Sequence, residues 1–138
     1  MSDCMDVGYI GLGNIGKPAA RHLIREEFRA HVFDLFEPAV RELEAEGALA
    51  HDSAAVLAGR CAHIGICVRD NAQVESVLYG DDGVLAHAAS GTLIAIHSTV
   101  TRKALLRWAG DAADRGLILV DAPVSGGARG AEAGTLCY

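Results

Sequence analysis

Three glycines with the spacing G-x-G-x-x-G, at Gly11, Gly13 and Gly16, stand between a short apolar run and an amphipathic segment. The run 7–10 is typical of a strand, and 14–27 has apolar residues at helical spacing. Glycines at such a strand-to-helix turn let the backbone approach a phosphate, and the helix start offers free N–H groups. The arrangement predicts a phosphate site in a βαβ unit. A structural glycine-rich turn is the alternative when the motif is taken without its context.

The remainder of the chain alternates short apolar runs with longer amphipathic ones, a pattern typical of a parallel sheet with crossover helices. Strands are predicted over 7–10, 30–34, 62–68, 92–97 and 117–121, with a weaker one at 48–50. Helices are predicted over 14–27, 38–46, 54–57, 71–78 and 101–115, with Ser53 and Thr101 as N-caps. No linker or repeat interrupts the pattern. We therefore expect one α/β domain over residues 1–138, Rossmann-type and doubly wound, with a mostly parallel sheet.

Charge and cysteine usage restrict the class of partner. The 138 residues carry 12 Lys and Arg against 18 Asp and Glu, and no basic block occurs. We therefore expect a small-molecule partner rather than nucleic acid or an anionic membrane. The four cysteines form no CxxC pair, and the N-terminus has no basic, apolar leader. A reducing, cytoplasmic setting is the expectation.

An acidic residue follows the second predicted strand at the position where dinucleotide sites bind a ribose. Asp34 lies 18 residues after Gly16, near the offset of about 20 at which a carboxylate accepts hydrogen bonds from ribose hydroxyls. This favours NAD over NADP, because a carboxylate repels an additional phosphate. Arg41 or Lys17 is placed to offset that repulsion, and a solvated acid at a strand end is the alternative.

Three motifs resemble the β-hydroxyacid dehydrogenase family, the group of 3-hydroxyisobutyrate dehydrogenase, tartronate semialdehyde reductase and the cofactor domain of 6-phosphogluconate dehydrogenase. They are GLGNIGKPAA at 11–20, HSTV at 97–100 and DAPVSGG at 121–127. The first is similar to the family's GLGxMGxPMA with isoleucine replacing methionine, and the third matches the family's substrate signature. The resemblance extends over residues 6–136.

The resemblance implies a role for each matched residue. The diphosphate is held by Gly11, Leu12, Gly13, Asn14, Ile15 and Gly16. Asp34 binds the ribose, Val68 and Arg69 line the cofactor, and Thr99 contacts the nicotinamide end. Ser125, Gly126 and Gly127 bind the substrate carboxylate through a hydroxyl and backbone N–H groups. The implied activity is NAD(P)-dependent hydride transfer to or from a small β-hydroxyacid or its semialdehyde, and full-length members are expected to form homo-oligomers.

The family's acid/base is a lysine in a helix after the cofactor domain. The sequence has two lysines, Lys17 and Lys103, and neither matches the position of that catalytic lysine. We therefore expect a dinucleotide-binding fragment that does not turn over, without the family's last strands and helical second domain, and with 134–138 inside an interrupted strand. The alternative is a non-catalytic dinucleotide-binding module or a vestigial gene fragment.

Two further groups of residues are interpreted structurally. Cys61, His63 and Cys67 would share one strand face, but the two cysteines are about 20 Å apart in extended chain, too far for one metal ion. We expect them to be buried small hydrophobes and expect no metal site. His22, His31, His51 and His87 are interpreted as surface residues. His97 beside Ser98 has no acid partner in the sequence, which disfavours a hydrolase.

Overall fold

The computed structural model describes residues 3–138, which form a six-stranded sheet flanked by helices. The strands are β1 (Met5–Ile10), β2 (Phe28–Phe33), β3 (Leu49–Ala50), β4 (His63–Ile66), β5 (Leu93–Ile96) and β6 (Ile118–Asp121). The helices are α1 (Gly16–Arg21), α2 (Glu37–Ala45), α3 (Ala54–Ala58), α4 (Asn71–Leu78), α5 (Val84–His87), α6 (Arg102–Ala113) and α7 (Gly127–Ala133). All six predicted strands are present.

The strand order is β3-β2-β1-β4-β5-β6, and every neighbouring pair is parallel. Strand order therefore reverses between β1 and β4, which is where open α/β sheets form a ligand crevice outside the carboxyl ends of their strands. The expectation of a doubly wound Rossmann-type fold is confirmed.

Each face of the sheet is covered by its own set of helices. On one face, Leu43 of α2 and Ala20 of α1 pack against Tyr9 and Val32 of the sheet. On the other face, α3 to α6 cover the isoleucines of β4 and β5, and Trp108 of α6 is fully buried there. The near-continuous apolar sequences of the central strands follow from this burial on both faces.

The helix prediction is wrong at three places. Helix α1 ends at Arg21 rather than at residue 27, because the next N–H groups bond three residues back and the Arg25 side chain takes the His22 carbonyl. Acidic side chains at 26 and 27 would also oppose the negative end of a longer helix dipole. Helices α5 and α7 are additional; α5 is a single turn, and α7 contains two glycines that disfavour a helix in isolation. Ser53 and Thr101 do cap α3 and α6.

The C-terminal segment forms a hairpin-like return rather than the expected interrupted strand. Ser125 and Cys137 make an isolated antiparallel bridge with N–H to O distances of 2.8 and 2.9 Å. Between them lies α7, which packs on α1, and the His22 imidazole lies 2.9 Å from the Ala131 carbonyl. Ile118 and Val120 of edge strand β6 are exposed.

The surface interpretation of His31 is wrong, because the residue is only 3% exposed. Its Nε2 lies 2.8 Å from Asp6 Oδ1, and its Nδ1 lies 2.7 Å from His51 Nε2, with the two imidazoles stacked. Arg29 donates two further hydrogen bonds to Asp6. A histidine in the middle of a strand is buried here because an acid one strand away pairs with it.

Cys61 and Cys67 do not share a face. Cys61 packs in the α3-to-α6 core, whereas Cys67 packs on the α1 and α2 side. Cys61 precedes β4, so the alternation of a strand does not extend back to it. Within residues 3–138 no group of three His, Cys, Asp or Glu side chains is arranged to hold a metal ion.

Candidate functional site

A cleft of about 1040 Å³ lies at the carboxyl ends of β1, β2 and β4, on the point where strand order reverses. Its volume is at the upper end of the range of about 300–1,000 Å³ for small-molecule pockets. Segments 10–16, 33–36, 52–54 and 67–69 line it, together with Gln73, Ser76, Val77 and Asp82. All six residues of the glycine loop, and Asp34, Val68 and Arg69, are thus brought together.

The glycine loop requires the absence of a side chain at two positions for structural reasons. Gly11 has φ +97°, a conformation that residues with a Cβ rarely adopt. At Gly16 a Cβ would lie 2.8 Å from the Gly11 carbonyl carbon and still closer to its oxygen. Gly11 and Gly16 therefore allow the chain to turn and α1 to begin against the end of β1.

Gly13 differs from its two neighbours. A Cβ there would meet nothing within 4 Å, and its φ is not in the left-handed region. The fold does not require glycine at this position. Because Gly13 lines the cleft, the space in front of it is available to a ligand that approaches the backbone. This is the geometry that a diphosphate needs, and it shows that the loop fits one.

Asp34 holds the glycine loop as well as facing the cleft. Its Oδ2 accepts the Leu12 N–H at 2.5 Å, and its Oδ1 accepts the Phe36 N–H at 2.7 Å. Each carboxylate oxygen has a second lone pair, so the side chain retains the capacity to accept from ligand hydroxyls. Asp34 therefore links the end of β2 to the loop after β1.

The charges around the cleft are mostly negative. Asp34, Asp52 and Asp82 line it, against the single cation Arg69. The two cations that the sequence places nearby are already paired. Lys17 Nζ lies 2.9 Å from Glu42 Oε2. Arg41 binds Glu37 and Glu44.

The loops after β4 and β5 are joined to one another. Ser98, 4% exposed, accepts the Val68 N–H at 2.9 Å. Thr99 follows at the carboxyl end of β5, outside the cleft lining and exposed. The Arg69 N–H donates to Gln73 Oε1 at 2.8 Å, which fixes the start of α4.

Ser125, Gly126 and Gly127 lie beyond β6, apart from the cleft lining. The Ser125 N–H is bonded to the Cys137 carbonyl, so the serine can offer its exposed hydroxyl rather than its amide. Gly126 and Gly127 have φ +128° and +60°, conformations that favour glycine, and they lead into the first turn of α7.

The loops after β2 and β3 and helix α4 contribute lining residues that the sequence motifs did not indicate. Leu35 and Phe36 are 92% and 66% exposed at the cleft edge, and Asp52 and Ser53 follow the short strand β3. The rule that ligands bind at carboxyl ends of parallel strands points to Asp52 and Ser53 once β3 is assigned.

Three groups beside the loop are shifted toward their neutral forms. Burial raises the pKa of Tyr9 and of the Cys67 thiol, and burial lowers the pKa of His97. The His97 ring stacks on Tyr9, and its Nδ1 lies 2.9 Å from the Ala122 carbonyl. The Tyr9 hydroxyl has no hydrogen-bond partner among residues 3–138.

Comparison with known families agrees with this geometry. The model of the NAD binding domain of 6-phosphogluconate dehydrogenase matches residues 6–138. The chain belongs to this family. The family resemblance inferred from the three motifs is thereby confirmed.

Individual relatives are dehydrogenases. The chain is 41% identical over 133 residues to 3-hydroxyisobutyrate dehydrogenase of Pseudomonas aeruginosa, covering 96% of this chain and 45% of that protein. It is 40% identical over 136 residues to 2-(hydroxymethyl)glutarate dehydrogenase of Eubacterium barkeri, covering 99% and 45%. The solved 3-hydroxyisobutyrate dehydrogenase of Salmonella typhimurium superposes with a TM-score of 0.90 at 36% identity, covering 96% and 46%. The chain spans just under half the length of these relatives.

The structure of Psf3 in complex with NADP+ also superposes on the chain, with a TM-score of 0.88 at 27% identity. Family membership therefore supports an NAD(P)-binding domain and leaves the choice between NAD and NADP to the residues of this chain. Of the helices in residues 3–138, none combines the length and apolar character needed to cross a membrane.

Proposed function

We propose that this chain binds NAD as the cofactor domain of an oxidoreductase acting on a small β-hydroxyacid or its semialdehyde. The observation that carries the proposal is the order of the five segments along the carboxyl edge. Asp34 follows β2, the glycine loop follows β1, Val68 follows β4, Thr99 follows β5, and Ser125 comes after β6. Ribose, diphosphate and nicotinamide follow one another in this order along an extended dinucleotide, and the substrate lies beyond the nicotinamide.

The dimensions of the sheet support this order. Neighbouring strands lie about 4.8 Å apart, so the ends of β2 and β5 are separated by roughly 14 Å across β1 and β4. In the proposed assignment the Gly13 backbone faces the diphosphate and Asp34 accepts from the ribose hydroxyls. Thr99 contacts the nicotinamide end, and the Ser125 hydroxyl with the Gly126 and Gly127 N–H groups binds a carboxylate. Bound nicotinamide supplies the hydride acceptor or donor.

NAD rather than NADP is the proposed cofactor. A 2′-phosphate beside Asp34 would add negative charge to a cleft that also contains Asp52 and Asp82. Lys17 and Arg41, the cations that the sequence places to offset this charge, hold ion pairs with glutamates. The NADP+ in the Psf3 complex is bound by that protein.

Calorimetric titration of the full chain with NAD and NADP tests the proposal. Wild-type protein should bind NAD more tightly than NADP. Asp34→Asn should lower the affinity for NAD by about tenfold, since a hydrogen bond to a charged group contributes about 1.5–3 kcal/mol. The same variant should discriminate less strongly against NADP. Asp82→Asn is the matched control, because this acid lines the cleft without contacting the loop; its NAD affinity should stay within about twofold. Equal NAD affinities for wild type and Asp34→Asn would remove Asp34 from the site.

We further propose that the 138 residues bind the cofactor without turning it over. Hydride transfer needs a proton donor or acceptor at the reacting oxygen. Lys17 is paired with Glu42, and Lys103 is exposed on α6. Steady NADH formation by this chain with NAD and 3-hydroxyisobutyrate would refute this part of the proposal. The free state of all four cysteines supports a reducing, cytoplasmic setting.

A further inference from the structure

Two residues outside the glycine loop join the loops after β4 and β5 by hydrogen bonds. The Asn71 side-chain N–H donates to Thr101 Oγ1 at 2.9 Å, and the Thr101 backbone N–H donates to Asn71 Oδ1 at 3.2 Å. Asn71 is the first residue of α4, and Thr101 is the N-cap of α6, where its Oγ1 also accepts the Ala104 N–H. The two bonds join the helix starts that follow adjacent strands.

This pair continues the sheet pairing beyond the strand ends. The last main-chain bond between the β4 and β5 segments is the one from the His97 N–H to the Ile66 carbonyl, 2.8 Å long. The Val68 N–H to Ser98 Oγ bond follows it, and the Asn71–Thr101 pair comes next. Thr99 lies between Ser98 and Thr101, so the chain on both sides of it is hydrogen-bonded to the loop after β4, which lines the cleft.

The orientation of the Asn71 amide is determined by its partners. The Thr101 backbone N–H can only donate, so it requires an oxygen opposite it, and Oδ1 must face it. The Nδ2 then faces the Thr101 hydroxyl, which accepts. An aspartate at 71 would preserve both contacts, because the hydroxyl can rotate to donate to the second carboxylate oxygen. Leucine, of similar shape, would lose both.

We propose that Asn71 is a positioning residue which, through Thr101, places Thr99 for the nicotinamide end of the dinucleotide. This inference rests on the proposed function, since it takes Thr99 as a contact of the nicotinamide half. The adenosine half meets Asp34 and the glycine loop, which the pair does not touch. Loss of the pair should therefore weaken binding of the nicotinamide half selectively.

The experiment compares NAD with ADP-ribose, which lacks the nicotinamide. Calorimetry on wild type should give tighter binding of NAD. Asn71→Leu should reduce the ratio of NAD to ADP-ribose affinity by about fivefold, the weight of one hydrogen bond of about 1 kcal/mol, with ADP-ribose affinity unchanged. Asn71→Asp should return the ratio to the wild-type value or above, because it keeps both contacts with Thr101 and its charge attracts the cationic nicotinamide ring that ADP-ribose lacks.

Thr101→Val and Thr101→Ser provide a second pair of variants, the first without the hydroxyl and the second with it. Thr101→Val should lower the ratio as Asn71→Leu does, Thr101→Ser should preserve it, and the Leu/Val double variant should lower it no further than either alone. An unchanged ratio in both Asn71→Leu and Thr101→Val, equal losses for the two ligands, or failure of Asn71→Asp to restore the ratio would overturn the inference while leaving the dinucleotide site standing. Equal wild-type affinities would do the same, whereas absence of NAD binding by wild type would overturn the proposed function itself.

Discussion

Substitution of alanine at two glycines of the same loop should have opposite effects on stability. At Gly16 the added Cβ would lie 2.8 Å from the Gly11 carbonyl carbon, inside ordinary contact with backbone that cannot rotate away. Overpacking of this kind costs about 1–3 kcal/mol, and a backbone neighbour places Gly16→Ala at the upper end. For a chain of this length, about 3 kcal/mol lowers Tm by roughly 10 °C.

At Gly13 the added methyl group has no heavy atom within 4 Å, and the φ angle there is compatible with alanine. Gly13→Ala should therefore be stabilising by about 0.4–1 kcal/mol, because alanine loses less backbone entropy on folding. The same methyl occupies the space that we assign to the diphosphate. Loss of even one charge-assisted hydrogen bond, about 1.5–3 kcal/mol, weakens NAD by at least about tenfold.

Thermal unfolding and NAD calorimetry on both variants distinguish these effects. Gly16→Ala should lose stability and binding together, whereas Gly13→Ala should gain stability and lose binding. Wild-type NAD affinity in a folded Gly13→Ala protein would refute the placement of the diphosphate over this residue. A Gly16→Ala protein as stable as wild type would refute the account of how the turn packs.

Two further predictions concern the fold. Hydrogen bonds from Arg29 and, to a lesser extent, His31 hold the pKa of Asp6 below its ordinary value, so the folded state favours the carboxylate. Asp6→Asn should therefore lower the free energy of unfolding at pH 7 by about 1 kcal/mol. Because a carboxylate with a depressed pKa in the folded state stabilises the fold less as the pH falls, urea unfolding should show the difference between wild type and variant shrinking below about pH 4. A difference that persists undiminished at pH 3 would contradict this. Leu43→Ala, at a fully buried site between α2 and the sheet, should lower the free energy of unfolding by about 2–5 kcal/mol. Leu106→Ala, on the exposed side of α6, should change it by no more than about 0.5 kcal/mol. Equal losses for the two variants in chemical denaturation would contradict the assignment of the core.

The strands and the glycine loop could be predicted because their signals are local. Apolar runs of four to seven residues between polar helices predict strands buried on both faces. Helix α7 was missed because Gly127 and Gly130 disfavour it locally, and it is held by contacts with α1 and by the Ser125–Cys137 bridge. His31 was placed on the surface because its partner Asp6 is 25 residues away and lies on a different strand.

The sequence by itself determined the fold class, the family and the position of the glycine loop. Strand and helix periodicity and the glycine spacing each act within a few residues, so they are visible without coordinates. Only the tertiary structure decided which glycine is open to a ligand, that Asp34 holds the Leu12 N–H, and that Asn71 pairs with Thr101. The two hydrogen-bonded pairs join residues 22 and 30 positions apart, and the parallel pairing of the strands before them brings them together.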